Sequence, residues 1–340
     1  MRKPKTAARG GLLRLSIRRP ESASPMAAAV LASVALMLLA CSSGTDKDPG
    51  AGGASSPTGG AEQVRLVTTL YPLEYFARRI GGDLVDVTNL VAPGVEAHDF
   101  EPSPGDMRSM SAADVIVVNG AGFEPWIDRA VANLRGEPKL VIEASRAFSL
   151  NGASAAAGAT KLSAGGVDPH YWLDPLRASA QAEAVLDALT TVAPAHREVY
   201  EKNADRLMQD IELLHDQYSS ALQQCRLDTF VTSHAAFGHL ATRYGLVQLP
   251  LTGTSPEAEP STASLARLTR QIKDAGVRYV LAETFASRRL SRTVADEIGA
   301  TLLDMHPLES LTPEQASRGD TYLSIMRSNL ESLSTALECR

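Results

Sequence analysis

Between Pro194 and Gln224 the chain runs 31 residues with no glycine and, after its first residue, no proline. Its apolar residues Tyr200, Ala204, Leu207, Ile211, Leu214, Tyr218 and Ala221 recur at alternating steps of four and three. That rhythm keeps one stripe on one side of an α-helix about 46 Å long, at 1.5 Å per residue, so one face is buried from end to end. A coiled-coil segment reads the same way. Here the segment occurs once and divides a chain whose two halves both alternate strand-like and helix-like runs. A spine helix packing on two α/β lobes accounts for both observations.

Before the spine, Val64–Leu70, Leu84–Val91, Asp114–Asn119 and Lys139–Ile142 are short apolar runs of the kind buried in parallel sheets. Pro72–Ile80 reads as a helix closed by Gly81-Gly82, and Ser103-Pro104-Gly105-Asp106 supplies a capping-box-like helix start. After the spine, Asp228–Thr232, Val247–Leu251, Val277–Glu283 and Thr301–Met305 are strand-like, with helices expected at Ser261–Ala275, Leu290–Ile298 and Asp320–Leu337. The expected fold is α/β: two lobes of mostly parallel sheet flanked by helices, 62–193 and 225–340, joined by 194–224. A length of 340 residues suits two domains. A cleft between such lobes is a favoured place for a ligand.

The first forty residues belong to neither lobe. They hold seven Lys or Arg and one acid, Glu21, so removing them turns a net charge of −6 into −12. An acidic body excludes gripping nucleic acid or an anionic membrane by bulk charge, and attracts cations. Within the basic segment, Met26–Ala40 is an apolar run too short to span a bilayer but suited to a signal peptide. Leu38-Leu39-Ala40-Cys41 resembles the lipobox of bacterial lipoproteins, in which cleavage precedes a cysteine that is then acylated. Residues 42–61 contain no large apolar side chain, which makes 41–61 a flexible lipidated tether with a reach of about 25 Å. The expectation is a body held at the outer face of a membrane. Cys41 taken by lipid leaves Cys225 and Cys339 as the candidate disulfide of an exported protein.

Of the seven histidines, His196 and His215 fall on the long helix and read as surface decoration. His98, His170 and His234 each follow a strand-like run and sit among turn residues, where ligands gather in open α/β sheets. The first two belong to the first lobe and the third to the second, so they could converge across the cleft. From pattern alone they could equally be ordinary hydrogen-bonded loop residues.

At these residues the chain resembles the zinc/manganese-type solute-binding lipoproteins of bacterial ABC importers, the ZnuA-like or TroA-like group. The likeness runs from about Val64 to the C-terminus. It covers Tyr71-Pro72-Leu73, Val91–Gly94 leading to His98, Glu124-Pro125-Trp126, Asp168–Pro175, Ser233–Gly238, Gly253–Pro260 and Tyr322–Leu330. It implies a cleft metal bound by His98, His170 and His234, with Glu309 as fourth ligand where many members have Asp. His239 stands where a tyrosine is common, and the loop at 151–167 lacks the histidines of some zinc members. His239 and His306 are read as structural, with His306 close enough to Glu309 to compete. Asp99, Glu101 and Asp174 are candidates to orient the rings, or else turn and cap residues.

Three imidazoles and one carboxylate suit Zn²⁺ better than the oxygen-preferring Mn²⁺. The resemblance implies a monomeric carrier that captures zinc and delivers it to a transmembrane ABC permease, with no chemistry on its cargo. Binding needs neutral imidazoles, so affinity should fall as pH drops through about 6.5. Two other readings stay open: a zinc-dependent surface hydrolase and an adhesin-type surface lipoprotein. The chain has no H-E-x-x-H, no nucleophile elbow and no evident paired general base, so no enzyme is expected.

Overall fold

The computed structural model of the protein describes residues 63–135, 140–147, 167–256, 260–284, 286 and 288–340. The signal segment, Cys41, the tether and most of the 151–167 loop lie outside them. The first half alternates β1 (Val64–Thr68), α1 (Tyr71–Gly81), β2 (Val85–Asn89), α2 (Pro104–Ala112), β3 (Val115–Val118), α3 (Ile127–Ala132) and β4 (Leu140–Glu143). These strands form one parallel sheet in the order β2-β1-β3-β4, with Leu66 between Val87 and Val115. All four side chains of β3 are fully buried, which is why that run reads as uninterrupted apolar sequence. At the start of α2, Ser103 and Asp106 form the reciprocal capping box, with Pro104 in the first turn.

Two helices follow, α4 (Pro175–Val192) and α5 (Arg197–Ala221). The second half continues with β5 (Thr229–Thr232), α6 (Gly238–Arg243), β6 (Val247–Pro250), α7 (Thr262–Asp274), β7 (Tyr279–Glu283), α8 (Arg288–Ile298), β8 (Thr301–Met305), α9 (Pro313–Arg318) and α10 (Tyr322–Leu337). Its sheet, also parallel, runs β6-β5-β7-β8, the same order as the first. In each sheet the order reverses beside the first strand, between β1 and β3 and between β5 and β7. Loops leaving neighbouring strands there diverge and open a crevice at the carboxyl ends.

The spine is α5, preceded by a separate tight turn at Pro194–His196. Tyr200, Ala204, Leu207, Ile211, Leu214 and Tyr218 are all fully buried; Ala221, at the helix end, is half-buried. This face packs on α1 and α4 toward the first sheet and on α10 toward the second. One apolar cluster is therefore continuous from Leu66 and Phe76 through Leu207 and Ile211 to Phe230 and Tyr322. Smaller clusters cover the far face of each sheet, around Ile116 and Met110 and around Val231 and Ile272.

Helix α4 is absent from the sequence reading. Its buried stripe includes Ala178, Ala182, Val185 and Leu189, half of it alanine, so its periodicity is faint in hydropathy even though Asp174 and Pro175 cap it. Cys225 and Cys339 form a disulfide, S–S 2.00 Å, that clips the segment after α5 to the end of α10. Beside it Arg226 Nη2 donates to Glu338 Oε1 at 2.7 Å. Among the described residues no helix is long and apolar enough to cross a membrane.

Candidate metal centre

The chain is brought back four times to the carboxyl ends of the two sheets. His98 lies in the loop after β2, His170 in the segment leading into α4, His234 directly after β5, and Glu309 in the loop after β8. Three of these are fully buried and the His98 side chain is 11% exposed. His98, His170, His234 and Glu309 each offer one ligand atom, all within 4.8 Å of one another. Glu309 Oε1 stands 3.4 Å from His98 Nε2, 3.5 Å from His170 Nε2 and 3.3 Å from His234 Nε2. His170 Nε2 is 3.3 Å from His98 Nε2 and 3.4 Å from His234 Nε2.

What aims two of the rings is a carboxylate behind each. Asp168 Oδ1 accepts from the backbone N–H of His170 at 3.0 Å and pairs with its Nδ1 at 2.8 Å. Glu283, at the end of β7, accepts from the backbone N–H of His234 at 2.9 Å and pairs through its other oxygen with Nδ1. Each carboxylate holds the proton on Nδ1 and leaves the Nε2 lone pair facing the cage. The His234–Glu283 pair sits at the β5–β7 reversal, where the topology opens the crevice. His98 has an aromatic wall instead: its ring lies 4.6 Å from that of Phe123, which also meets Trp172 at 5.6 Å.

The charges follow from this packing. Burial drives the Glu309 carboxyl up, but hydrogen bonds from the three imidazoles outweigh it and hold the group well below its ordinary range. Burial pushes His170 and His234 down, while Asp168 and Glu283 more than reverse that and raise both. Glu96, whose Oε1 accepts from the His98 backbone N–H at 3.1 Å, is raised to about 7 by burial and then by the charge of Glu309. With neutral imidazoles, Glu309, Asp168 and Glu283 place three negative charges around one small volume. That arrangement attracts a cation.

Asp168 and Glu283 were not among the ring-orienting candidates read from the sequence. Glu101 pairs with Arg129 on the surface, Asp99 adds only a small push to Glu96, and Asp174 caps α4 while taking both guanidinium arms of Arg243 at 2.9 Å. Asp168 was legible, two residues before a candidate ligand; Glu283 becomes visible only once β7 is known to lie beside β5. His239 stacks on Tyr171 at 4.6 Å and reaches the Asp168 carbonyl, and His215 meets the Tyr244 hydroxyl at 3.0 Å. His196 packs its ring 6.1 Å from Tyr200. His306 has both ring nitrogens engaged away from the cage.

The profile of the ZnuA family, described as zinc-uptake complex component A, periplasmic, matches residues 66–336. The chain belongs to the ZnuA family. Among its ZnuA-family relatives, the zinc-binding lipoprotein AdcA of Streptococcus pneumoniae is 34% identical over 310 residues, covering 89% of this chain and 59% of AdcA. The chain therefore spans little more than half of that relative. The high-affinity zinc uptake system protein ZnuA of Bacillus subtilis is 32% identical over 313 residues, covering 91% of this chain and 96% of that protein. The Zn(II)-bound ZnuA-like domain of Streptococcus pneumoniae AdcA superposes with a TM-score of 0.68 at 35% identity, over 81% of this chain and 99% of the domain. The laminin-binding protein Lmb of Streptococcus agalactiae, described as bifunctional with adhesin and metal transporting activity, gives 0.71 at 31%, over 81% and 100%.

Proposed function

We propose that this chain is the substrate-binding component of a zinc uptake system, taking Zn²⁺ into a cage of His98, His170, His234 and Glu309 and passing it to an ABC permease. The observation that carries the reading is the size of the cage. Five of the six edges of the cage lie between 3.3 and 3.5 Å, and the sixth, His98 to His234, is within 4.8 Å. A regular tetrahedron with edges of about 3.4 Å has its centre about 2.1 Å from every corner. Zinc bonds imidazole nitrogen at about 2.0–2.1 Å and carboxylate oxygen at about 2.0–2.2 Å. The Glu309 oxygen at the cage is buried and faces the Nε2 atoms of the three imidazoles at 3.3–3.5 Å, as a metal-facing oxygen would. Three nitrogens to one oxygen favour zinc over manganese.

A hydrolytic zinc keeps a position open for water. Here Glu309 fills the fourth corner, which supports a carrier rather than an enzyme. The arrangement proposed with it is a lobe at 62–193 and a lobe at 225–340 joined by 194–224. A cleaved signal at 1–40 and a lipid on Cys41 with its tether to 61 would hold the monomer at the outer membrane face. The continuous core through α5 favours small loop movements over wide hinge closure. Elemental analysis of protein purified without chelator, then competition between Zn²⁺ and Mn²⁺, tests the assignment: one zinc per chain that manganese does not displace is expected. Unchanged zinc affinity in His170→Ala and His234→Ala would end it.

A further inference from the structure

His306 sits three residues before Glu309, and its ring is turned to the loop that carries the carboxylate. Nδ1 accepts the Leu308 backbone N–H at 2.9 Å, and Nε2 donates to Gln315 Oε1 at 3.0 Å. This pair of bonds needs the neutral Nε2–H imidazole. Leu308 is fully buried with φ of +64°, a left-handed conformation that costs about 1–2 kcal/mol for a residue with a side chain. The His306 ring is the partner of the Leu308 N–H, and without it a buried donor in a strained turn would lose its bond. The residue is itself fixed at both its backbone and its ring. Asn329 of α10 accepts from the His306 N–H and donates to its carbonyl, both at 2.8 Å, and the same Gln315 oxygen caps α9 by accepting the Thr312 N–H at 2.9 Å.

We propose that His306 is a positioning residue for Glu309: its Nδ1 locks the left-handed turn at Leu308 that delivers the Glu309 carboxylate to the cage. This rests on the reading of the cage as a zinc site. Two half-imidazoles separate the role from mere packing. His306→Asn keeps an acceptor near the place of Nδ1, whereas His306→Gln moves its amide out toward the place of Nε2. Zinc affinity is read by competition with a chromophoric chelator, and the ligand set by the visible absorption of the Co²⁺-loaded protein.

H306Q is expected to weaken zinc about tenfold, the low end of what residues behind a ligand contribute, and to shift the Co²⁺ spectrum toward that of Glu309→Gln. H306N is expected to stay within about threefold of the parent protein. In an E309Q background H306Q should add no further loss. The proposal is overturned if H306Q binds and absorbs like the parent, if H306N is weakened as much as H306Q, or if the double variant loses the tenfold again. Should H306Q not fold, Gln315→Met on the outer side of α9 frees the ring tautomer. A shift in the same direction supports the role, and a parent-like Co²⁺ spectrum overturns it. A parent protein that takes up no zinc would instead overturn the reading of the site.

Discussion

The loop carrying Glu309 and the loop carrying His98 meet at one cage, yet they are held differently. From His306 to Leu311, bonds from four directions pin the Glu309 loop: Asn329 on His306, Trp172 Nε1 on the Pro307 carbonyl at 2.6 Å, the Tyr71 N–H on the Glu309 carbonyl at 3.2 Å, and the Gly94 N–H on the Leu311 carbonyl at 2.7 Å. Three of those donors belong to the first half of the chain, so a cage carboxylate from the second half is fixed by the first. The His98 loop has mostly local bonds, Val95 to Ala92 and Phe100 to Ala97, and residues 92–95 are exposed. Among the described residues no carboxylate is bonded behind its imidazole as Asp168 and Glu283 are behind the others. The lesson is a cage built rigid on three corners and lightly held on the fourth, the corner nearest solvent.

The largest expected effect breaks the contrast most directly. His234→Ala strips Glu283 of its ring partner and leaves a buried carboxylate, so the chelated protein should lose about 3–5 kcal/mol of stability. His98→Ala, whose ring rests on Phe123 and is partly open to solvent, should lose less than about 1 kcal/mol. Both should lose tight zinc binding. Thermal unfolding in excess chelator reads the difference, and equal destabilisation would mean that the two corners are held alike.

Acid should act on the pinned loop. Burial pushes His306 down to about 4 from 6.5. The unfolded chain takes up this proton near 6.5 and the folded chain only near 4, so stability is lost as pH falls between those values. At about 1.4 kcal/mol per pH unit, the loss reaches about 3 kcal/mol at the acid end. His306→Asn carries no such proton. Urea unfolding at about pH 7, 5.5 and 4 should show the variant's deficit shrinking as pH drops. A deficit independent of pH would show that His306 is not held neutral.

Much of the fold and of the cage can be read from the residues alone, and the part that cannot has a physical reason. The spine is legible because thirty-odd residues repeat one period, and His98, His170 and His234 because each follows a strand-like run; Glu309 is legible only through the likeness to a known family. The disulfide pair followed from cysteine count and export. What stayed hidden depends on which strand lies beside which. Glu283 is merely the last residue of a strand until β7 pairs with β5, and Trp172 is merely an aromatic residue until its indole N–H meets the Pro307 carbonyl from the other lobe. Helix α4 was hidden for another reason, since an alanine-rich stripe buries by close approach and leaves little hydropathic contrast.

Asp168→Asn sharpens the comparison at the next scale down. It keeps the shape behind His170 but removes the charge that holds its Nδ1 proton, and zinc affinity should fall about 10–100-fold by competition titration. An effect on stability with none on affinity would make Asp168 a packing residue only.

The smallest expected effect tests the loose corner itself. Gly94 has φ of +89°, and an added Cβ would lie 3.3 Å from Pro313 Cδ. Gly94→Ala therefore strains the His98 loop where its backbone reaches Leu311, at a cost of about 1 kcal/mol. Where that cost falls distinguishes a fixed loop from a lightly held one. A loop as rigid without metal as with it suffers the strain in both states, so thermal stability drops and zinc affinity is unchanged. A loop that needs this conformation only to place His98 suffers it mainly in the loaded state, and the strain then appears as weaker binding. The expected result is zinc affinity down about fivefold, the equivalent of 1 kcal/mol, with little change in the melting temperature of the chelated protein.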